Sequence, residues 1–442
     1  MRTDVVIPYY DAPERLASIL LALGEQRDPS TGGALGELTI VVADDASNVP
    51  PDVSMSAHPT RVVRHDVVGY HAASARNVGV AAGDSPAVVL LDGDTVPDPW
   101  AVARLVAPIE RGEADLTTGR RAHGDLDGLD PAEVAAWVAA PTAERRLPEP
   151  EWLREGLERT DRLRVGTSQV YQYVISAVMA VRRDLFEEVG GFDDRFDTYG
   201  GEDWELAYRC WNAGAAFLHV PDALAFHDGP DVEGRAPDPT AKTIESLRIL
   251  DRVPASATRP GGIVHEVPDL DVELALLPGD PVANAIGLTS LLADPWGDLR
   301  VRLVGDEADR RLLLDHVHDP RVVRDVSPPP VAARADVALP RPVTVAHGAL
   351  ADLSAEVRDG RRAERRVALA AVDGRGPSEV VVRSRRLATA RWRARTTAAG
   401  EAAAVAVAGS AGSGGDPVDG AWLGIEAVAA SDLAGWLRAQ NR

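Results

Sequence analysis

Short apolar runs rich in β-branched residues alternate with amphipathic stretches over residues 1–125. Leu16, Ile19, Leu20 and Leu23 recur at the spacing of one helix face. A run that is apolar throughout is typical of a strand in a parallel sheet covered on both faces. The alternation therefore predicts an α/β fold. The predicted strands are 5–8, 38–43, 61–64 and 87–91, and the predicted helices are 13–26, 72–82 and 99–111.

Polar or special residues stand where three of these strands end. Pro8 closes the first strand, Asp44–Asp45 follows the second and Asp92–Asp94 follows the fourth. In parallel sheets, ligands bind beyond the carboxyl ends of the strands. This edge of the sheet is therefore the predicted ligand site.

The remainder of the chain divides by composition. Residues 126–170 are charged and predict a helical insertion near the open edge of the sheet. A strand at 173–181 and a short helix precede a second dense group of polar residues at 191–228. A Pro-rich stretch then leads to a shift in composition. We predict a domain of residues 1–230, a linker of residues 231–262 and a C-terminal α/β domain of residues 263–442.

The C-terminal part echoes the first part. Arg321–Val326 nearly repeats Arg61–Val67, and Ala335–Pro342 falls where Ala87–Asp94 would fall. The acidic triplet is replaced there by Pro340-Arg341-Pro342. Two interpretations stay open: a second copy of the α/β unit that has lost its acidic site, or an unrelated α/β domain.

Composition narrows the class of protein. The 442 residues suffice for two or three domains, and the net charge of −21 argues against a general nucleic-acid-binding protein. A single cysteine, Cys210, excludes an internal disulfide and fits a reducing compartment. No run approaches the roughly 20 apolar residues of a membrane span. We expect a cytoplasmic protein, with peripheral association at the inner face of the membrane left open, as is the oligomeric state.

The triplet Asp92-Gly93-Asp94 is the strongest candidate site. Two carboxylates at the mouth of a buried strand are costly to keep ionised without a counter-charge. Mg²⁺ or Mn²⁺ would supply that charge and could bind a diphosphate. Gly93 would let a ligand approach the backbone. The alternative is a solvated turn.

Three further positions each allow two interpretations. Asp203, in Gly200-Gly201-Glu202-Asp203, is either a general base or an acidic helix N-terminus. His227 is either a metal ligand or a structural histidine. Arg76 either reaches a phosphate or base, or is an ordinary surface arginine.

Together these segments resemble family 2 glycosyltransferases of the GT-A fold, which has a Rossmann-like, mixed and mostly parallel sheet. The resemblance covers about residues 1–230, in the order of the family's motifs. Gly200–Asp203 followed by His227 is most similar to galactosyl- and N-acetylgalactosaminyl-type and bacterial polymerising members. The matching stretches are Val6–Tyr10, Val42–Ser47, Ala75–Gly79, Leu91–Asp94, Arg182–Asp193 and Gly200–Asp203.

The resemblance implies a nucleotide-sugar donor, with UDP favoured. Asp45 would bind the nucleobase, in a pocket lined by Pro8 and its neighbour Tyr10. Arg76 would contact the nucleotide. Asp92 would approach the ribose and the metal-bound waters.

The resemblance also implies the chemistry. Asp94 and His227 would ligate the metal, with Asp92 beside it. Asp203 would deprotonate the hydroxyl of a saccharide or other acceptor, and Glu202 would help to hold it. A single displacement would invert the anomeric carbon, in glycan, polysaccharide or glycoconjugate synthesis.

Two other functions remain as alternatives. A sugar-1-phosphate nucleotidyltransferase shares a doubly wound sheet and acidic metal residues, but a Gly-rich basic loop usually follows its first strand. Here that place holds Pro8-Tyr9-Tyr10-Asp11-Ala12-Pro13. A non-catalytic nucleotide-sugar-binding protein is the second alternative, and Asp94, Asp203 and His227 argue against it for the first half.

Overall fold

A computed structural model of the chain shows two compact units. The N-terminal unit comprises Met1–Gly166, Val170–Trp211 and Ala215–Ile249, and the C-terminal unit comprises Thr167–Gln169, Asn212–Gly214 and Leu250–Arg442. The structure describes residues 1–36, 38–65, 72–166, 169–197, 200–230, 239–255, 259, 263–294, 296–324, 333–346, 348–358, 362–369, 378–389, 418–419 and 425–427.

The N-terminal unit alternates strands and helices in its first half, as predicted. Its strands are β1 Thr3–Tyr9, β2 Leu38–Asp45, β3 Thr60–His65, β4 Ala87–Leu91, β5 Thr95–Pro97, β6 Leu116–Gly124, β7 Arg146–Leu147, β8 Val178–Arg182 and β9 Phe217–Asp228. Its helices are α1 Pro13–Gly24, α2 Ala72–Ala81, α3 Ala101–Glu110, α4 Pro131–Ala139, α5 Glu151–Arg159, α6 Arg183–Glu188, α7 Glu202–Asn212 and α8 Pro239–Arg252.

These strands form one mixed sheet in the order β3-β2-β1-β4-β8-β6-β9-β5, with β7 beside β6. Strands β3, β2, β1 and β4 are parallel, whereas β8 runs antiparallel to both β4 and β6. The predicted α/β class and mostly parallel sheet are therefore confirmed. The carboxyl ends of β1, β2 and β4 lie side by side, which gathers the polar residues that follow them.

The core explains why the apolar pattern was informative. Leu16, Ile19, Leu20 and Leu23 of α1 are all at most 1% exposed. Each such side chain stabilises the fold by roughly 1.5–3 kcal/mol on burial. Pro13 occupies the first turn of α1, where its missing N–H has no partner to lose.

The N-terminal unit differs from the predictions in three parts. The strand predicted at 173–181 is β8, which begins only at Val178. Strand β6 was not predicted, because its sequence LTTGRRAHG lacks an apolar run, yet it pairs with both β8 and β9. Its buried Thr117 hydroxyl donates to the Leu105 carbonyl at 2.8 Å, which makes a polar core position tolerable. Helix α8 falls within the predicted linker 231–262, of which residues 231–238 lie outside the described residues.

The C-terminal unit contains a second α/β sheet. Its strands are β10 Leu270–Ala275, β11 Leu299–Val304, β12 Val322–Val323, β13 Ala335–Leu339, β14 Val343–Val345, β15 Glu364–Leu369, β16 Ser378–Ser384, β17 Val418–Asp419 and β18 Ile425–Ala427. Its helices are α9 Pro281–Leu292, α10 Glu307–His316, α11 Ala349–Arg358 and α12 Arg385–Ala388. No described helix of the chain is long and apolar enough to cross a membrane.

The two sheets share one topology. The order β12-β11-β10-β13-β16-β15-β17 matches β3-β2-β1-β4-β8-β6-β9, with the same parallel and antiparallel pairings. From β4 to the start of β6, and from β13 to the start of β15, the strands, helix and gaps have the same lengths. Helix α10 has no counterpart between β2 and β3.

An ion pair occupies the same place in each sheet. Asp4 on β1 lies 2.7 Å from Arg183, the first residue after β8. Asp271 on β10 lies 2.8 Å from Arg385, the first residue after β16. The N–H of each arginine donates to the carbonyl of the residue preceding β4 or β13. Topology, spacing and ion pair thus agree between the two sheets, and the second-copy interpretation stays a prediction.

Candidate functional site

Asp92-Gly93-Asp94 forms the three-residue connection between β4 and β5. The Asp92 N–H donates to the Ala177 carbonyl at 3.2 Å, which fixes the start of the connection against the segment before β8. A Cβ on Gly93 would lie 2.5 Å from the Pro8 carbonyl oxygen at the end of β1. Glycine is therefore needed here for close approach of two strand ends, which the sequence alone did not show.

Asp94 and His227 meet at this edge. The Nε2 atom of His227 lies 3.2 Å from Oδ2 of Asp94, because β5 and β9 pair Thr95 with His227. Burial alone would raise the pKa of Asp94. The hydrogen bond and charge of His227, with Arg15 and Arg121 nearby, outweigh burial and lower that pKa to about 2. Asp94 therefore stays a carboxylate at neutral pH.

A second histidine stands beside the first. The Gly229 carbonyl accepts hydrogen bonds from Nδ1 of His227 at 3.2 Å and from Nδ1 of His123 at 3.1 Å. Since a carbonyl only accepts, each Nδ1 carries a proton, and Nε2 of His227 faces the Asp94 carboxylate. A proton or a cation must then lie between these two groups. His123 was missed because β6 was not predicted.

This donor pair fits a divalent cation. An imidazole nitrogen and a carboxylate oxygen 3.2 Å apart match adjacent ligands of an octahedral ion, which stand about 3.0 Å apart for bonds of about 2.1 Å. Nδ1 of His227 already has the acceptor that usually orients a metal-binding histidine. No group of three or more His, Cys, Asp or Glu side chains suited to a metal occurs among the described residues. Phosphate and water oxygens would have to complete the coordination, as is common for Mg²⁺.

Arg76 is a buried arginine at the centre of the site, not a surface one. It is 3% exposed, and Nη2 lies 2.5 Å from Oδ1 of Asp92. Nη1 lies 3.3 Å from Oε1 of Glu202, and the guanidinium stands 5.3 Å from the Phe192 ring centroid. Arg76 therefore joins the acidic triplet to the start of α7. Its predicted contact with a nucleotide stays a prediction.

Glu202 and Asp203 begin α7, behind two glycines. Gly200 and Gly201 have φ of 99° and 93°, values that favour glycine and make the sharp entry to the helix. Burial raises the pKa of Glu202 to about 7, with Asp203 adding to the rise and Arg76 opposing it. Burial also raises the pKa of Asp203, against the opposing charge of Arg76. Ser176 donates twice to the Asp203 carboxylate.

The residues predicted for the nucleobase pocket occupy the neighbouring strand ends. Oδ1 of Asp45 lies 3.2 Å from Nδ1 of His65 on the next strand. Tyr10 is 57% exposed directly after β1, and Pro8 lies within that strand. Asp11, which the sequence did not single out, accepts from the Val49 N–H at 2.7 Å and so joins the loop after β1 to the loop after β2.

The predicted residues thus fall into two adjacent groups. One group is linked by contacts through Arg76 and consists of Arg76, Asp92 and Glu202. Asp203 follows Glu202 on α7, Asp94 follows in the same connection as Asp92, and His227 on β9 contacts Asp94. The other lines the ends of β1 and β2 and consists of Pro8, Tyr10 and Asp45. A pair of candidate metal ligands and a buried arginine can together bind a diphosphate, and a carboxylate at a helix start can receive a proton.

Two family models match the N-terminal unit. Residues 4–190 match the model described as glycosyl transferase family 2. Residues 164–227 match the model described as the N-terminal domain of galactosyltransferase. The second match spans Ser176, Glu202, Asp203 and His227, and together the two cover every site residue predicted from the sequence.

Curated proteins similar to this chain include a hyaluronan synthase and a chondroitin synthase. The chain is 24% identical to a hyaluronan synthase of Pasteurella multocida, over 57% of this chain and 27% of that protein. It is 27% identical to a chondroitin synthase of Escherichia coli, over 57% of this chain and 38% of that protein. The chain thus matches well under half the length of these relatives. A solved structure of S. aureus TarS 1-349 in complex with UDP-GlcNAc is 14% identical, with a TM-score of 0.38 over 57% of this chain and 67% of that chain.

Proposed function

Because residues 4–190 belong to the family 2 glycosyltransferases, we propose that this chain transfers a sugar from a nucleotide-sugar donor, with a UDP-sugar favoured, to an acceptor hydroxyl with inversion. The observation that carries the proposal is the linkage of the acidic triplet to the start of α7 through Arg76. It brings a candidate metal pair and a candidate base to one edge of the sheet.

The donor would occupy the ends of β1, β2 and β4. Asp45 would accept from the nucleobase, in a pocket lined by Pro8 and Tyr10. Asp92 would approach the ribose, with Gly93 leaving the backbone accessible and Arg76 facing the nucleotide.

Asp94 and His227 would hold Mn²⁺ or Mg²⁺, with Asp92 beside them. When bound, such an ion neutralises the diphosphate that leaves. Arg15 and Arg121 add positive charge close to Asp94.

Asp203 would act as the base. The acceptor oxygen forms a bond to the anomeric carbon as the bond from that carbon to the diphosphate oxygen breaks, and the hydroxyl proton passes to Asp203. Burial raises the pKa of Asp203, which increases its basicity. Glu202, held by Arg76 at 3.3 Å, would fix the first turn of α7 that carries the base.

The C-terminal unit would be a non-catalytic copy of the same fold. Pro340-Arg341-Pro342 occupies the connection between β13 and β14 that corresponds to the acidic triplet. Val343 pairs with Ala427, as Thr95 pairs with His227, so the copy has alanine where the metal-binding histidine would stand. Catalysis would therefore lie wholly in residues 1–230.

The similarity to hyaluronan and chondroitin synthases supports a saccharide acceptor and a role in polysaccharide or other glycan synthesis.

A donor screen tests the proposal. The full chain is incubated with UDP-GlcNAc, UDP-GalNAc, UDP-galactose, UDP-glucose and UDP-glucuronate, with Mn²⁺, Mg²⁺ or EDTA, and released UDP is measured. We expect metal-dependent release from at least one donor. A nucleotidyltransferase would instead form a nucleotide sugar from UTP and a sugar 1-phosphate, and that result would contradict the proposal.

A further inference from the structure

We propose that Ser176 is a positioning residue for the transfer step, because its hydroxyl holds the Asp203 carboxylate in the orientation that receives the acceptor's proton. The inference rests on the proposed role of Asp203 as the base. It adds a residue that neither the sequence motifs nor the family matches single out.

Both oxygens of Asp203 are engaged by this one serine. The Ser176 hydroxyl donates to Oδ1 at 2.5 Å, and the Ser176 N–H donates to Oδ2 at 3.1 Å. The paired bonds fix the plane of the carboxylate. Each carboxylate oxygen has two acceptor sites, so each keeps one for an acceptor hydroxyl.

The serine is itself rigidly placed. Ser176 is fully buried, and its neighbour Ala177 accepts from the Asp92 N–H at 3.2 Å. The segment before β8 therefore contacts the donor-side triplet through Ala177 and the base through Ser176. Any shift of this segment would move Asp203 relative to the donor, and small misplacements of reacting groups are costly.

The same fold contains a structural version of this arrangement for comparison. Ser85 donates to Asp4 from its hydroxyl at 2.6 Å and from its N–H at 2.9 Å. There the carboxylate also contacts Arg183 at 2.7 Å, so its charge is neutralised. Among the described residues, no ion pair of this kind is formed by Asp203. A carboxylate that is oriented but not neutralised retains its basicity, which suits a base and not a structural anchor.

Some of the charged groups that face Asp203 raise its pKa, and others lower it. Arg76 favours its ionised form, whereas Asp92 and burial oppose it, and Glu202 is its neighbour at the start of α7. The bonds from Ser176 favour the ionised form. Removing the hydroxyl should therefore raise the pKa of Asp203 and loosen its orientation, while the Ser176 N–H bond remains.

The test compares Ser176→Ala with the matched variant Ser85→Ala. UDP release from the donor that is turned over with Mn²⁺ is measured from pH 5 to 9, about the range in which a perturbed carboxylate titrates. For S176A we expect the acid limb of the kcat profile to move up by about one pH unit, so that kcat at low pH falls about tenfold, with an unchanged KM for the donor. For S85A we expect a lower melting temperature and an unmoved profile.

A second readout does not depend on the donor. The side-chain ¹³C resonance of Asp203, identified as the one lost in Asp203→Asn, is titrated in the wild type and in S176A. We expect a higher midpoint in S176A. An unmoved midpoint together with an unmoved kcat profile would overturn the proposal. Full activity of D203N would instead overturn the role of Asp203 as the base. Failure of the proposed function can therefore be distinguished from failure of the Ser176 proposal.

Discussion

Nε2 of His227 lies 3.2 Å from Oδ2 of Asp94, although the two residues belong to distant parts of the sequence. The pairing of β5 with β9 brings them together, and the Gly229 carbonyl fixes the imidazole so that Nε2 faces the carboxylate. An imidazole nitrogen and a carboxylate oxygen held in this way would supply two of the six ligands of an octahedral cation.

The first prediction concerns this pair. His227→Ala should raise the Mn²⁺ concentration needed for half-maximal UDP release by at least about tenfold, since one of two protein ligands is lost. His219→Ala is the matched control on the same strand. Burial, with Arg162 and Arg120, lowers the pKa of His219 to about 4, and its partner is Thr118. An equal Mn²⁺ response in wild type and H227A would contradict the metal assignment.

The sequence predicted the strand ends well and the interior of the site poorly. Apolar runs located β1, β2 and β4, and parallel strands place their carboxyl ends together, so Asp45 and Asp92 could be assigned to one edge. His227 lies close to Asp94 because β5 pairs with β9, and no local sequence pattern indicates that pairing. His123 and β6 were missed because a strand with adjacent threonines and adjacent arginines lacks the apolar signal.

Arg76 and Ser176 show a different limit. The prediction that Arg76 is functional came from small residues around one cation, but its contacts with Asp92 and Glu202 depend on helix α2 facing α7 across the strand ends. Ser176 carries no motif, and only the structure shows both of its donors on Asp203. Tertiary hydrogen bonds of this kind leave no trace in the spacing of residues.

Stability should depend on the protonation of Glu202. Burial raises its pKa in the folded chain to about 7, from an ordinary value of 4.5 in the unfolded chain. As pH rises from 4.5 towards 7, the unfolded state loses its proton first, so the free energy of unfolding falls. The loss is about 3 kcal/mol at most and is complete above pH 7. Glu202→Gln has no such proton to lose.

Urea unfolding at pH 5 and pH 7.5 measures this effect. We expect the difference in stability between the two pH values to be larger in the wild type than in E202Q, with the wild type less stable at the higher pH. The same pH dependence in both proteins would show that Glu202 does not titrate in this range.

Gly93 should be intolerant of a side chain. Gly93→Ala places a Cβ 2.5 Å from the Pro8 carbonyl and must push the triplet away from β1, at a cost of about 1–3 kcal/mol. The rate of UDP release should also fall in this variant. Gly36→Ala is the control, because no atom lies within 4 Å of a Cβ there. Comparable losses of melting temperature in both variants would contradict the close approach.

The two sheets should differ in nucleotide binding. Asp45 ends β2, and Asp306 occupies the corresponding position after β11. Asp45→Ala should weaken UDP binding about tenfold, the value of one hydrogen bond to a charged group. Asp306→Ala should leave UDP affinity unchanged, because the copy is proposed to be inactive. Calorimetric titration with UDP and Mn²⁺ checks both, and a loss in D306A equal to that in D45A would place a nucleotide in the C-terminal unit.

The central claim is that Asp203 takes the acceptor's proton beside the metal pair. Its most direct test is the turnover of Asp203→Asn against that of Asp98→Asn, a buried carboxylate whose Oδ1 accepts from the Trp100 N–H at 2.9 Å. D203N should lose at least about 100-fold in kcat while keeping its melting temperature and UDP affinity, whereas D98N should turn over normally. Turnover of D203N close to that of the wild type would contradict the account.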